Sequence, residues 1–403
     1  MFRLLLAPIL PLLFCGILLA QRRPIDEAWD LAAKGQRDQA IRVLQDLVKS
    51  NPRDADARLL LGSLLQEAGE PSASIEQLSE AVRLRPRSAE AENALGEAYN
   101  AFGDKKGARD AFQKAVALNP GFGQAQANLG LVLGEAGEFA ASADHLNRAI
   151  KAMGRSADAA YPHYLLAKAC TAQNKVKEAA AQLQQAVALR PDFAEAWSDL
   201  GAARKTLLDD AGALAAMKRA VELKPADAVA QYRLGAEYLR QNQAHRAVVH
   251  LQAAYRLTPD DQSTLNALQS ALRQDGQAEE ANKVRRALAD LLHQRDEARQ
   301  NALSAVRINN EGAELQKSGD LRGAMEKYRE ALRLAPEHVG IRVNYAVALL
   351  RLGEWAEGLT QLHEALARDP NNAQIAAALK DAVAQAPPGT VPNWGEEREA
   401  VKP

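Results

Sequence analysis

Apolar residues, small residues and prolines recur along this chain with a period of 34 residues. Stretches with apolar positions three and four residues apart, as on one side of an α-helix, lie between successive prolines. The prolines that end the repeats are Pro52, Pro86, Pro120, Pro191, Pro225, Pro259, Pro336 and Pro370. The pattern predicts a tandem array of repeats, each built from two helices and a turn.

Two of the gaps between prolines are longer than a whole number of periods. The gap from Pro120 to Pro191 exceeds two periods by three residues, because one repeat ends without a proline near Gly154. The gap from Pro259 to Pro336 exceeds two periods by nine residues. Counting through both gaps gives ten repeats.

Each repeat carries small residues at fixed positions. Two helices of about a dozen residues cannot bury their apolar sides alone, so they must cross closely and stack on the next pair. Close crossing requires small side chains in the first helix of the pair, here called helix A, and alanines in the second, helix B. The helix A position is occupied by Gly62, Gly96, Gly130, Ala167, Gly201, Gly235, Gly312 and Ala346.

The repeat between Ala89 and Pro120 carries a recognisable motif. Its motif residues are Leu95, Gly96, Tyr99, Ala108, Phe112, Ala115 and Pro120. These spacings resemble the tetratricopeptide repeat, and the resemblance extends over residues 24–385. It implies an all-α protein: an α-solenoid, wound as a right-handed superhelix of about ten repeats, with a C-terminal capping helix. It also implies a groove, lined mainly by the A helices, that binds protein or peptide segments and performs no catalysis.

The eighth repeat departs from the pattern. Gln269 replaces the small residue of helix A, Leu288 replaces a helix B alanine, and residues 277–308 contain no proline or glycine. The nine extra residues therefore predict a helix B longer by about two and a half turns. We expect a break in the superhelix between about Gln277 and Asn310; the alternative is a long helix that packs normally.

The domain organisation follows from these features. We predict a signal peptide at residues 1–20, repeats one to eight at 21–300 with an extended last helix, and repeats nine and ten with the capping helix at 301–386. The capping helix carries Ile375, Leu379 and Val383 on one side. Residues 387–403 contain several prolines and glycines and are predicted to be a disordered tail.

The N-terminal segment predicts export to the periplasm or the extracellular space. Arg3 precedes an apolar run from Leu4 to Ala20, and polar residues follow, which is typical of a secretory signal cleaved after Ala20. One alternative is an uncleaved membrane anchor, the only case in which we expect contact with a membrane. Another is lipid modification at Cys15, although Phe14 stands where a small residue should precede that cysteine.

Charge and composition argue against several classes of function. The 50 basic and 51 acidic residues balance, which gives no reason to expect nucleic acid as a partner. The sequence has no phosphate-binding loop, no CxxC pair and no HExxH motif, so we expect no metal, no cofactor, no small-molecule substrate and no enzymatic activity. Cys170 takes the position that Tyr99 has in another repeat and is interpreted as a buried packing residue.

The outward side of the A helices supplies the predicted ligand groove. Its residues are Asn128, Tyr164, Lys168, Asp199, Lys205, Tyr232, Arg233, Arg240, Asn310 and Asn344. The tyrosines, lysines and arginines favour a partner segment with acidic and aromatic-compatible character, with repeats five to seven as its site. The family's carboxylate clamp cannot be placed here. The alternative is an ordinary solvated helix surface.

Taken together, the sequence predicts an exported scaffold or adaptor that binds a protein or peptide partner. The layout of a signal followed by repeats is similar to that of proteins that assemble the cell envelope or build protein complexes. Three alternatives stay open: a helical-repeat RNA binder, an enzyme with an unrecognised site, and a non-catalytic partner of an envelope glycan-modifying enzyme.

Overall fold

The fold is described from a computed structural model that covers residues 24–370 and 372–394. These residues form helices joined by short turns and loops, and no strand is present among them. The fold is therefore the predicted all-α repeat array, an α-solenoid. The chain divides into an N-terminal compact unit that ends at Asp275 and a C-terminal one that begins at Gly276.

The N-terminal unit contains seven helix pairs and one further helix within its described residues. Its helices are α1 (24–33), α2 (Arg37–Ser50), α3 (Ala55–Glu67), α4 (Pro71–Leu84), α5 (Ala89–Phe102), α6 (Lys105–Leu118), α7 (Gly123–Glu135), α8 (Phe139–Met153), α9 (Ala160–Ala172), α10 (Val176–Leu189), α11 (Ala194–Thr206), α12 (Asp210–Leu223), α13 (Ala228–Arg240), α14 (Ala244–Leu257) and α15 (Gln262–Gln274). The odd-numbered helices are the A helices. The three-residue insertion forms a 3-10 turn at Ala157–Ala159 after a slightly longer α8.

The C-terminal unit begins with a single 40-residue helix. Its helices are α16 (Ala278–Lys317), α17 (Leu321–Leu334), α18 (Val339–Arg351), α19 (Trp355–Arg368) and α20 (Ala373–Gln385). The end of α16 packs on α17 as a helix A, with Gly312 against Tyr328. No turn separates the helix B of repeat eight from the helix A of repeat nine, because residues 278–311 contain no helix breaker. Residue 300, the predicted boundary, therefore lies inside a continuous helix. The two compact units divide between Asp275 and Gly276, just before this helix begins.

The capping helix packs as its sequence predicts. Ile375 and Leu379 of α20 are buried, and Val383 is partly buried in the same cluster as Leu359 and Leu362 of α19. Residues 387–394, from the predicted disordered tail, contain no helix, but Val391 and Trp394 pack against this cluster. The Trp394 ring stacks on His363 with 4.8 Å between centroids.

Two predictions concern parts of the chain outside the described residues. The signal peptide at residues 1–20 and its alternatives lie there, as do the last nine residues of the predicted tail. Among the described helices, none combines the length and the apolar character that crossing a membrane requires.

In the repeats that have a glycine at the small position of helix A, this glycine lies against a large side chain sixteen residues later. A Cβ added to Gly96 would lie 2.6 Å from the Phe112 ring, and one added to Gly201 would lie 2.6 Å from Met217 Cγ. Real Cβ atoms do not approach other atoms so closely. The predicted close crossing is therefore present, and glycine is needed there for space.

A second contact within the repeat fixes the start of helix A. The donor is the side chain of the residue four positions before the small residue of helix A. The acceptor is the backbone carbonyl oxygen of the proline that lies six residues before the donor. The pairs are Arg58–Pro52 at 2.9 Å, Gln126–Pro120 at 2.9 Å, Trp197–Pro191 at 2.9 Å, Gln231–Pro225 at 2.8 Å and Arg342–Pro336 at 2.5 Å. The periodic proline is therefore anchored through its carbonyl oxygen.

Repeat three has a glutamate at the position where these five repeats have the donor. Glu92 follows Pro86 by six residues and is only 4 % exposed. An ionised carboxylate has no proton to donate, and Glu92 Oε2 is buried without a hydrogen-bond partner. Burial raises the pKa of Glu92, and the Lys114 ammonium 3.9 Å away opposes that rise only in part.

We predict that Gly96→Leu destabilises the array. The larger side chain must displace the Phe112 ring, and overpacking of this kind costs about 1–3 kcal/mol. Thermal melting followed by circular dichroism measures the effect. Gly121→Ala is the matched control, because a Cβ there meets nothing closer than 3.5 Å. An unchanged melting temperature for Gly96→Leu would contradict the helix crossing described here.

We also predict that Glu92→Gln stabilises the protein at neutral pH by about 1 kcal/mol, since an amide can donate as Gln126 does. Because its pKa is raised on folding, ionised Glu92 destabilises the wild type increasingly as pH rises above about 4.5. Urea denaturation at pH 4 and pH 8 should show a gain mainly at pH 8. Glu90→Gln, at an exposed position, is the control; an equal gain at both pH values would exclude ionisation as the cause.

Candidate functional site

The candidate site is the surface that the outward side chains of the A helices form within each compact unit, here called the A-helix face. Nine of the ten predicted groove residues lie on A helices. The tenth, Asn310, lies in the part of α16 that packs as the helix A of repeat nine. Asn128 is buried, with 9 % exposure, while Tyr164, Asp199 and Arg233 are half-buried. Lys168 and Arg240 are exposed. The face is therefore a layer of partly covered polar groups.

Neighbouring A helices are joined by hydrogen bonds between residues 35 positions apart. In each pair, the later side chain reaches back to the previous repeat. The pairs are Asn128 Nδ2 to Asn93 Oδ1 at 3.0 Å, Arg233 Nη1 to Ser198 Oγ at 2.8 Å, and Asn344 Nδ2 to Asn309 Oδ1 at 2.9 Å. Here they are called the ladder. Asn309 is the ladder partner of Asn344, whereas the predicted Asn310 is exposed.

Three predicted residues form one connected network across repeats five to seven. The charge of Asp199 acts on the Tyr164 hydroxyl, and the Arg233 guanidinium lies 2.7 Å from the same carboxylate. Burial raises the pKa of Tyr164 to about 12, and the charge of Asp199 adds to the effect. Tyr164 is therefore a neutral hydroxyl at neutral pH.

Aromatic rings surround the start of this network. The Tyr164 ring lies 4.9 Å from the ring of Phe193 and 6.3 Å from that of Tyr161, measured between centroids. Tyr161 is exposed, and the Lys168 ammonium lies 5.7 Å from the Tyr164 ring centroid. The combination gives an apolar surface with a cation at its edge.

A cavity of about 390 Å³ brings Lys168, Asp199 and Arg233 together. Thr171, Thr206 and the small residue Ala202 line the same cavity. Lys168 also lines a second cavity of about 280 Å³ between α7 and α9. Among the described residues, the Lys168 ammonium contacts the Tyr164 ring and pairs with no carboxylate.

The other predicted cations are neutralised within the chain. Arg240 binds Asp210 at 2.5 Å and Glu237 at 2.6 Å, and the Lys205 ammonium lies 3.9 Å from Glu237. Glu237 is fully buried, and burial alone would raise the pKa of its carboxyl. The hydrogen bond from Arg240 outweighs this effect, so the pKa of Glu237 is lowered. Sequence analysis missed Glu237; its position three residues before Arg240 on one helix was the available signal.

The sequence analysis also singled out Tyr232 and Cys170. Tyr232 is half-buried on α13, beside Arg233 in sequence. Cys170 is buried in an apolar cluster with Leu166 and Leu183, and burial raises the pKa of its thiol. The described residues contain no group of three His, Cys, Asp or Glu side chains able to hold a metal ion.

Sequence models of the tetratricopeptide repeat match most of the array. The matched segments are residues 25–65, 59–121, 103–163, 167–207 and 315–382. Together they cover more than half of the 403 residues. The chain belongs to the tetratricopeptide repeat family. Proteins of this family typically bind protein or peptide partners and act as scaffolds.

Comparison with a curated protein places the similarity within the repeats. Protein FlbA of Caulobacter vibrioides is 33% identical over 186 residues, which is 46% of this chain and 29% of that protein. This tetratricopeptide repeat chain therefore matches less than a third of the length of FlbA.

Solved structures share the repeat fold. The chain is similar to the structure of pilF from Pseudomonas aeruginosa, with a TM-score of 0.50 and 17% identity, over 57% of this chain and 100% of that one. It is also similar to YrrB, described as a TPR protein with an unusual peptide-binding site, with a TM-score of 0.41 and 22% identity, over 48% and 98% of the two chains. At 17% identity, the similarity to pilF shows the fold alone.

We predict that the Asp199–Arg233 contact stabilises the stack of repeats six and seven. Asp199→Ala and Arg233→Ala should each lower the free energy of unfolding, and the double variant should lose about 0.5–1 kcal/mol less than the sum. Urea denaturation measures the coupling. Arg219 and Glu222, an exposed pair on α12, provide a control cycle with coupling near zero. Equal coupling in both pairs would contradict a stabilising role for the Asp199–Arg233 contact.

Proposed function

We propose that this tetratricopeptide repeat protein is an exported scaffold that binds an acidic protein or peptide segment on the A-helix face of repeats five to seven. The observation that carries the proposal is the unpaired ammonium of Lys168 at the junction of two cavities. The cations around it are already paired within the chain. Lys168 is therefore the group best placed to receive a carboxylate from a partner.

The neighbouring groups suit a polypeptide ligand. Arg233 uses Nη1 for Ser198 and Asp199, which leaves its other guanidinium donors free of described partners. Those contacts fix the guanidinium before binding, so less conformational entropy is lost when a ligand binds. The rings of Tyr161 and Tyr164 offer an apolar surface beside the two cations. A segment with a carboxylate next to an aromatic or aliphatic side chain fits this arrangement.

Export and a role in cell-envelope assembly form the second part of the proposal. Their support is the apolar run from Leu4 to Ala20 with the polar residues after it, the pattern of a secretory signal. Fractionation of cells that produce the full chain tests this part separately. Recovery in the cytoplasm would contradict export and would leave the binding face to be tested by itself.

Crosslinking in intact cells tests the binding face. We predict that a photoreactive residue at Thr171, which lines the 390 Å³ cavity, traps a protein partner that mass spectrometry can identify. The same residue at exposed Glu222 on α12 is the control position. Trapping of RNA at Thr171 would support the alternative of a helical-repeat RNA binder and contradict the present proposal.

Charge reversal then tests the named residue. Lys168→Glu should reduce the recovery of the trapped partner about tenfold, because a favourable ion pair becomes a like-charge contact. Lys177→Glu is the matched control: it makes the same change at an exposed lysine on α10 of the same repeat. If both variants recover the partner fully, the acidic segment does not bind at Lys168.

A further inference from the structure

A larger cleft lies at the beginning of the N-terminal unit. It has a volume of about 1160 Å³ and is formed mainly by α1, α3 and α5, the A helices of repeats one to three. It shares no lining residue with the cavities around Lys168. Any ligand it takes is therefore recognised by a separate set of side chains.

The charge of this cleft is negative. Five carboxylates and two guanidinium groups line it. Asp56 forms a two-pronged ion pair with Arg85, which removes one charge of each sign. Asp54 caps α3 by accepting from the Ala57 amide.

Three further carboxylates have no cation paired with them. Glu97 accepts hydrogen bonds from the amides of Asn93 and Asn128, at 3.0 and 2.7 Å, which hold the side chain in place without neutralising it. Asp26 and Glu90 are exposed and form no ion pair with a described residue. Arg53 is the one remaining cation of the lining.

The same cleft presents an unusual apolar group. Trp29 on α1 is 59 % exposed, and Leu59 and Leu84 are only partly covered behind it. An exposed tryptophan at the edge of a cleft is typical of binding surfaces, because the ring offers a large apolar area and attracts cations to its face. The carboxylates and the indole thus favour the same kind of ligand.

We propose that this cleft binds an extended segment of a partner protein that carries lysine or arginine side chains on both sides of an aliphatic residue. The basic side chains pair with Asp26, Glu90 and Glu97, and the aliphatic one packs on Trp29 and Leu59. The chain as a whole has a formal charge of −1, so its overall charge gives only weak attraction for a basic ligand. Binding at this cleft is therefore set by local charge, which is opposite to that around Lys168.

Fluorescence anisotropy with synthetic peptides tests the proposal on the full chain. The probe is a labelled twelve-residue peptide in which pairs of lysine or arginine flank leucines, and the reference replaces every basic residue by glutamate. We expect the basic probe to bind at least about tenfold more tightly than the acidic one, with affinity that falls as salt is added. Equal binding of the two probes would overturn the proposal.

Variants locate the binding to the cleft. Glu90→Gln with Glu97→Gln should weaken the basic probe about tenfold, and Trp29→Ala should weaken it further with little change in salt dependence. Asp38→Asn with Glu76→Gln removes two exposed carboxylates of the same repeats outside the cleft and serves as the matched control. Equal loss in the cleft and control variants would mean non-specific attraction and would overturn the proposal.

The last experiment tests whether the protein associates with itself through the cleft. Light scattering of the full chain shows whether a second copy fills the cleft. A dimer that Trp29→Ala dissociates would mean that the occupant is another copy of the chain, which contradicts a basic partner segment. A variant that binds no probe is interpreted only if its helicity and melting temperature match those of the wild type.

Discussion

Close crossing of the two helices in each repeat is the constraint on which the structure depends. At Gly62, Gly96, Gly130, Gly201 and Gly235, a single added carbon would lie 2.5 to 2.7 Å from a side chain sixteen residues later. The contact joins helix A to helix B and leaves the opposite side of helix A facing outward. Because the same crossing recurs from repeat to repeat within each compact unit, the A helices of that unit stack in register and their outward side chains form one surface there.

The ladder is a direct consequence of that register. When A helices stack one period apart, each outward side chain lies beside one from the previous repeat, offset by a single residue, as Asn128 does beside Asn93. Polar groups half-covered by stacking must find partners, and their nearest neighbours supply them. The face that could bind a ligand therefore also helps hold the repeats together, and a substitution such as Arg233→Ala acts on both properties.

The sequence predicted the parts of this structure that depend on contacts inside one repeat. The glycine positions and the buried Cys170 follow from the 34-residue period, because each repeat supplies both sides of the contact. The capping helix follows from the apolar residues on its own side. The long helix was predicted only in part. Helix B of repeat eight was expected to be extended, but the boundary with repeat nine was placed at residue 300, whereas α16 continues without interruption from Ala278 to Lys317.

The partners on the A-helix face could not be predicted for a different reason. The 35-residue pairing depends on how one repeat is turned relative to the next, and that rotation is not visible in the period. Lys205 was therefore assigned to a ligand, whereas its ammonium lies 3.9 Å from the buried Glu237 of the next repeat. Glu237 also pairs with Arg240 on its own helix, a contact that the spacing in the sequence did signal. Among the predicted lysines and arginines, Lys168 is left without a carboxylate because its position faces an aromatic ring instead.

A one-dimensional array allows different regions of the same face to differ in charge. Each repeat contacts only its neighbours, so a change of charge in repeats one to three does not require compensation in repeats five to seven. The cleft beside Trp29 keeps uncompensated carboxylates, while the cavity beside Lys168 keeps an uncompensated ammonium. A near-zero net charge is therefore compatible with selective recognition. Charges of opposite sign cancel in the sum over the whole chain, but a ligand within a Debye length of about 8–10 Å of one site is attracted or repelled mainly by the charges of that site.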